Sequence, residues 1–278
     1  ALVDSVAESG FVGFDVTGGE PTAFPGIVDV IRRATERGLS SRIITLGQFL
    51  GTKNLLDRLL DAGLCDFRFS LHAARPEMFH RMTGGDLTKL RWTMDELQRR
   101  GFQYITNTTI TEENYRFLPE IARFIASRPE IYQATLLFFM PYYRWATADH
   151  AGEHRVRYSD IAAYLREAVA IIEEAEIGCT IRYAPQCTIR GMEKNHVGIA
   201  GVRHDPHEWM NAIEHTADPE ATSLLVASAM GRMIGLPPHA QAAPLIDAPA
   251  PYVASRSSKV FPEKCRGCAG MAICDGVD

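Results

Sequence analysis

Short apolar, β-branched runs alternate with amphipathic stretches through the first half of the chain. "FVGFDV" (11–16) reads as a strand and "GIVDVIRRATERG" (26–38) as a helix, because its apolar residues recur at helical spacing. "SRIITL" (41–46), "DFRFSLH" (66–72), "YITNTTI" (104–110) and "ATLLFFM" (134–140) are further strands. Between them, "TKNLLDRLLDAG" (52–63), "DLTKLRWTMDELQRRG" (86–101) and "FLPEIARFIASR" (117–128) are helices. The last strand is almost wholly apolar, which predicts burial on both faces. Five strands thus alternate with four helices, and a helical stretch ahead of Phe11 ("ALVDSVAESG") implies one more strand upstream. Repeated βα units predict a parallel sheet with helical crossovers, doubly wound or barrel-like.

The second half is patterned differently. "YSDIAAYLREAVAIIEEA" (158–175) is a strong amphipathic helix and "GCTIRYAP" (178–185) a strand. Residues 185–211 have little periodicity. "DPEATSLLVASAMGRMIGL" (218–236) opens on an Asp cap with proline at the first helical position, so a helix is expected. A Pro/Ala-rich spacer (237–252) and a cysteine-rich tail complete the chain. The division expected is a βα domain over 1–150 and an extension over 151–278.

Composition narrows the function classes. With 278 residues, 46% hydrophobic, the chain can bury a substantial core. A net charge of −5 with scattered Lys and Arg gives no footprint for nucleic acid. No apolar run approaches the roughly 18 residues of a membrane helix, and no signal peptide is visible. Three of the six cysteines crowd into the last fourteen residues, which is no framework of spread disulfides. A cytoplasmic, reducing setting is therefore expected. Cys65 and Cys179 stand alone in apolar contexts and read as buried core thiols.

Four strings carry chemistry. "TGGEPT" (17–22) lies at the carboxyl end of the first strand, where parallel sheets bind ligands. Two glycines let the backbone approach a ligand closely, and Pro21 stiffens the turn; a plain tight βα turn is the simpler account of a bare Gly-Gly. In "FSLHAARPEMFHRMTGG" (69–85), Ser70 and His72 alternate with apolar neighbours and point to one face. His72 is equally readable as a hydrogen-bonded strand-end histidine. "NTTITEEN" (107–114) places Asn107 among threonines that are simply good strand formers. In "FFMPYY" (138–143), Phe138 and Phe139 read as core, but Met140 and Pro141 do not.

Gly-Gly-Glu-Pro, followed in order by the other three strings on successive strands, resembles the radical S-adenosylmethionine (radical SAM) superfamily over roughly residues 1–145. The resemblance implies an α/β fold, a partial (β/α)6 TIM-like barrel lacking its first strand, with an irregular α+β cluster-binding extension. It implies that Thr17, Gly18, Gly19, Glu20 and Pro21 hold the cofactor's methionine amino group. Ser70, His72 and Asn107 would face its ribose or carboxylate, and Met140 and Pro141 its adenine. The family's C-x3-C-x2-C loop, which holds the catalytic [4Fe–4S] cluster, is not in this sequence. Its place would be before Ala1, and the expectation is that it lies there and that this piece is inactive without it. A relative that has lost the cluster is the alternative.

The tail, "KCRGCAGMAICDG" (264–276), carries C-x2-C-x5-C at Cys265, Cys268 and Cys274. Close cysteines imply a metal, and no second C-x2-C pair is present for a zinc ribbon. The spacing resembles the SPASM or twitch extension, implying one auxiliary [4Fe–4S] cluster with Cys187 as the fourth ligand; a further core thiol is the other reading of Cys187. Glu193, Lys194 and His196 read as exposed loop groups or substrate contacts, and Tyr142 and Tyr143 are candidates by position alone. The family's reaction is reductive cleavage of S-adenosylmethionine to a 5′-deoxyadenosyl radical, which abstracts a hydrogen atom. A small-molecule substrate and a flavodoxin- or ferredoxin-like reductant are expected. Peptide maturation and a non-catalytic iron–sulfur protein are the competing readings.

Overall fold

The computed structural model describes residues 2–139, 154–197 and 262–268. The chain forms two compact units. One comprises residues 1–137 with 159–180. Of the other, the described residues are 138–139, 154–158, 181–197 and 262–268.

The first unit is an α/β layer of the predicted kind, the sequential βα arrangement of a partial barrel. Its strands are β1 (Gly13–Val16), β2 (Ser40–Thr45), β3 (Asp66–Ser70), β4 (Tyr104–Ile110), β5 (Ile131–Phe138) and the start of β6 (Gly178–Arg182), lying side by side in chain order. The β1–β2, β2–β3 and β3–β4 pairs are parallel. Helices α1 (Leu2–Glu8), α2 (Ile27–Glu36), α3 (Leu55–Asp61), α4 (Pro76–Thr83), α5 (Leu87–Arg99), α6 (Leu118–Ala126) and α7 (Tyr158–Glu174) accompany them. In α2 the buried residues Ile27, Val28, Ile31 and Ala34 fall on one stripe, as its spacing requires. No residue of α1 is buried. Ion pairs from Asp4 to Arg33 and Arg37, and from Glu8 to Arg37, tie it to α2.

Alternation along β3 separates the sheet into two faces. Phe67, Phe69 and Leu71 are fully buried on the helix side. There the Phe67 and Phe69 rings stack at 5.2 Å and Phe69 meets Tyr104 edge to face, also at 5.2 Å. The opposite face carries Asp66, Arg68 and Ser70. Register puts Asp15 beside Arg42 and Arg42 beside Asp66, so the lower strand ends on this face form a charged row. Arg42 Nε donates to Asp66 at 2.7 Å, and the Tyr132 hydroxyl donates to the same carboxylate at 2.9 Å. Partial desolvation of its hydroxyl and that carboxylate push the Tyr132 phenol up to about 12.

Several expectations are corrected. The helix expected over 52–63 is broken: a 3-10 turn over Thr52–Asn54 precedes α3, because Lys53 and Asn54 adopt left-handed backbone at φ 51° and 55°. A separate α4 is stopped by Gly84 at φ 69° before Asp86 caps α5. β5 starts three residues earlier than expected, and Tyr132 within it is exposed. Cys65 is exposed rather than core, because it sits at the rim one residue before β3; Cys179 is buried as expected.

In the second unit, the end of β6 pairs in parallel with β7 (His196–Val197). Phe138 stacks on Tyr158 at 5.5 Å. Short 3-10 turns cover Gln186–Thr188, Glu193–Asn195 and Glu263–Cys265. The helix expected over 218–236 and the Pro/Ala-rich spacer lie outside the described residues.

Candidate functional site

The carboxyl ends of β1 to β4 gather most of the residues singled out from the sequence. After β1, Thr17, Gly18 and Gly19 are exposed, with φ of 89° and 55° at the two glycines. That region favours glycine strongly. A Cβ built at either glycine would meet no heavy atom within 4 Å, so the space over this backbone is open to a ligand.

Glu20 plays a different part from its neighbours. It caps a 3-10 turn over Pro21–Ala23, accepting from the Thr22 N–H at 3.1 Å and from the Thr22 hydroxyl. The same carboxylate accepts from the Thr45 hydroxyl at 2.5 Å and the Leu46 N–H at 3.0 Å, both at the end of β2. Thr45 Oγ1 in turn accepts from the Gly47 N–H at 2.9 Å. Four protein donors thus occupy this carboxylate, and it braces the glycine turn against β2. Pro21, buried at the first position of the turn, stiffens the same corner.

On β3 and β4 the polar face continues. Ser70 lies in register with Asn107, and its hydroxyl donates to Asn107 Oδ1 at 3.3 Å. His72 Nδ1 accepts from the Thr109 N–H at 3.1 Å. That bond assigns the ring proton to Nε2, for which no described group is an acceptor. Burial pushes the imidazole down to about 4, so the ring is neutral at ordinary pH. The result is a neutral N–H donor held on the polar face at the strand ends.

Asn114 organises this corner. It is fully buried; its Oδ1 accepts from the Thr111 N–H at 2.8 Å. Its Nδ2 donates to the His72 carbonyl at 2.9 Å and to the Thr109 carbonyl at 2.8 Å. Sequence reasoning passed over Asn114 as the end of a motif. The available signal was an asparagine just beyond a strand, a residue type suited to bonding nearby backbone.

The other candidates, and His80 and Arg81 of the 69–85 string, separate from this group. His80 and Arg81 lie on α4, where His80 Nδ1 contacts the Gly85 carbonyl at 3.1 Å and Arg81 pairs with Glu113 at 3.3 Å. Both Glu193 oxygens accept from the Gly191 N–H at 3.0 Å, which holds this exposed carboxyl below its usual range. Lys194 is exposed and His196 half-buried in β7. Met140, Pro141, Tyr142, Tyr143 and Cys274 lie outside the described residues. Cys187, Cys265 and Cys268 are free thiols. Among the described residues no three His, Cys, Asp or Glu side chains are grouped to hold a metal ion. Nor is any described helix long and apolar enough to cross a membrane.

Known proteins resemble this chain in sequence and in fold. Residues 1–125 match the model of the Radical SAM superfamily. The PqqA peptide cyclase of Bradyrhizobium diazoefficiens is 27% identical over 184 residues, which are 63% of this chain and 44% of that protein. The probable GTP 3',8-cyclase of Sulfolobus acidocaldarius is 29% identical over 168 residues, 60% of this chain and 52% of that one. The chain thus spans about half the length of the curated relatives it matches. Streptococcus suis SuiB bound to S-adenosylmethionine superposes with a TM-score of 0.54 at 15% identity, over 65% of this chain and 41% of SuiB. SuiB bound to its precursor peptide SuiA gives 0.51 at 16% identity, over 63% and 38%. At such identity the likeness to SuiB speaks to the fold alone.

Proposed function

The chain belongs to the radical SAM superfamily, and on that premise we propose that it binds S-adenosylmethionine at the strand ends of β1, β3 and β4. The observation that carries this reading is the exposed, left-handed Gly18–Gly19 turn, whose backbone is open and lies at the same end of the parallel sheet as the polar residues of β3 and β4. The backbone carbonyls of residues 17–19 accept from the methionine ammonium, and Glu20 keeps that turn in place. Ser70, Asn107 and the His72 Nε2–H hold ribose hydroxyls or the carboxylate; Met140 and Pro141 are assigned the adenine. When bound and reduced by one electron, this cofactor supplies hydrogen-atom abstraction from a substrate.

Two finer assignments belong to the same proposal. The spacing of Cys265, Cys268 and Cys274, with Cys187, supports one auxiliary [4Fe–4S] cluster; no geometry among the described residues adds to that support. A peptide substrate is the second reading beside a small molecule. It is favoured by a relative whose name is PqqA peptide cyclase and by a fold neighbour captured with a precursor peptide. A flavodoxin- or ferredoxin-like protein is the proposed reductant.

Calorimetric titration with S-adenosylmethionine tests the site. Saturable binding is expected, weakened at least about tenfold by Gly19→Val, whose Cβ branch would fill the open backbone. Equal binding by the variant, or none by either protein, would remove the assignment. Iron counting separates the cluster readings: about four irons per chain supports one cluster. Release of 5′-deoxyadenosine on anaerobic reduction tests the reaction.

A further inference from the structure

We propose that a pocket beside the strand ends of the first unit takes an apolar side chain flanked by a carboxylate on a peptide. It would seat part of the substrate, a role that rests on the reaction proposed above; the binding itself does not. The pocket holds about 330 Å³ and is lined by Gln48, Gly51, Thr52, Thr88, Lys89 and Trp92. That volume is at the small end of ligand sites, enough for one large side chain and its backbone.

The pocket is built rather than left over from packing. Gln48 locks the connection after β2 to the start of α5: its Nε2 donates to the Leu46 and Asp86 carbonyls at 2.9 and 3.2 Å. Its Oε1 accepts from the Asp86 N–H at 2.8 Å. Gly51 lies under the Trp92 indole, where a Cβ would come within 3.1 Å of the ring. Its φ of −75° is ordinary, so close approach rather than backbone conformation calls for glycine here. Immediately after Thr52, Lys53 and Asn54 both hold left-handed backbone, an uncommon arrangement for two successive non-glycine residues. Such strain concentrates where a loop serves a ligand.

The chemistry facing the pocket is that of a host for an apolar anion. Trp92 is 42% exposed although α5 buries Leu90, Met94 and Leu97, and Phe49 in the facing connection is 43% exposed. Among the described residues the Lys89 ammonium has no ion-pair partner and the Trp92 N–H no acceptor. The nearby Asp86 carboxylate caps α5 through the Thr88 N–H at 2.8 Å, bonds the Thr88 side chain as well, and also feels the Lys89 charge without forming a direct ion pair with it. An indole face, an ammonium without a direct ion pair and the Thr52 hydroxyl suit a side chain stacked on the ring with a carboxylate reaching Lys89. The connection that supplies Gln48, Gly51 and Thr52 leaves the carboxyl end of β2, and Thr88, Lys89 and Trp92 lie in the first turns of α5.

The test is a titration of the 278-residue chain, watching the Trp92 indole N–H by heteronuclear NMR, its signal assigned through Trp92→Phe. Acetyl-Phe-Glu-amide should shift that signal saturably. Acetyl-Phe-Gln-amide, and the acidic probe with Lys89→Gln, should each bind at least about fivefold more weakly. The probe exchange requires no variant to fold. No shift, or equal affinity for both probes, would overturn the proposal. So would binding of phenylacetate without binding of the acidic dipeptide, which would make the site one for free small molecules. The titration needs no S-adenosylmethionine, and Lys89→Gln should leave binding of that cofactor unchanged. Failure here and failure of the proposed reaction are thereby told apart.

Discussion

The two faces of β3 stand on the same five residues and obey different rules. On the helix side, Phe67, Phe69 and the following Leu71 are each wholly buried, among rings that share their contacts. On the other side, Asp66, Ser70 and His72 each depend on one or two named polar partners. Apolar burial is non-directional, so the first face needs only the right kind of residue at every second position. Hydrogen bonding is directional, so the second face needs one particular neighbour at each position. Stability is spread over the first face, whereas the polar groups proposed to hold the ligand are concentrated in the second.

Substitutions can test this division. The largest effect is expected from Phe69→Ala, which removes a ring packed between Phe67 and Tyr104; a loss of about 3–5 kcal/mol should appear in urea unfolding. A loss below about 1 kcal/mol would show that this face is less tightly packed than its geometry requires.

Next comes a pH effect from the polar face. Folded His72 stays neutral down to about pH 4, whereas the unfolded side chain protonates near 6.5. The unfolded state therefore binds more protons across that window. His72 should have no effect on the pH slope above 6.5, and stability should fall as pH drops towards 4, by roughly 3 kcal/mol in all. Denaturant melts between pH 4 and 7 check this, because His72→Gln should flatten the slope. An unchanged slope would assign the titration elsewhere.

Asn114→Ala should cost about 2 kcal/mol, since it strands a buried N–H and two carbonyls. It should also weaken S-adenosylmethionine binding more than Phe69→Ala does at matched stability, which sharpens the contrast between the faces. The smallest effect is expected from Glu20→Gln, about 1 kcal/mol by thermal melting. Glu20→Gln can keep Oε1 as the acceptor for Thr45, so the coupling is read with Glu20→Ala, which removes that bond: combined with Thr45→Val it should lose less than the sum of the two single losses. Full additivity would mean that Glu20 does not brace the glycine turn through Thr45.

Much of the architecture was legible in the chain because its signals are local. Tyr104–Ile110 was read with its observed limits, and the long helix at Tyr158–Glu174 to within one residue. Strand ends elsewhere moved by one to three residues, where flanking apolar residues such as Val12 and Leu71 extend a strand-like pattern past the last ladder bond. The break at Lys53–Asn54 was invisible, since lysine and asparagine there continue a helical pattern and only the observed backbone departs from it. Within the site, the glycine turn, Ser70, His72 and Asn107 were legible as strand-end residues. Their partners were not.

By itself, then, the sequence determined the parallel βα order, the apolar face of each strand, and a ligand-accessible glycine turn after the first. Those properties follow from periods of two and 3.6 residues and from the freedom of glycine, all set within a few positions. Tertiary structure alone decided that Glu20 is spent on Thr22, Thr45 and Leu46 and that Asn114 carries the corner beneath His72. It also decided that Cys65 faces solvent and that Gly51 lies under Trp92. Each of these joins residues from separate elements or depends on what covers a surface. The register that brings them together comes from packing the whole sheet, which no local pattern specifies.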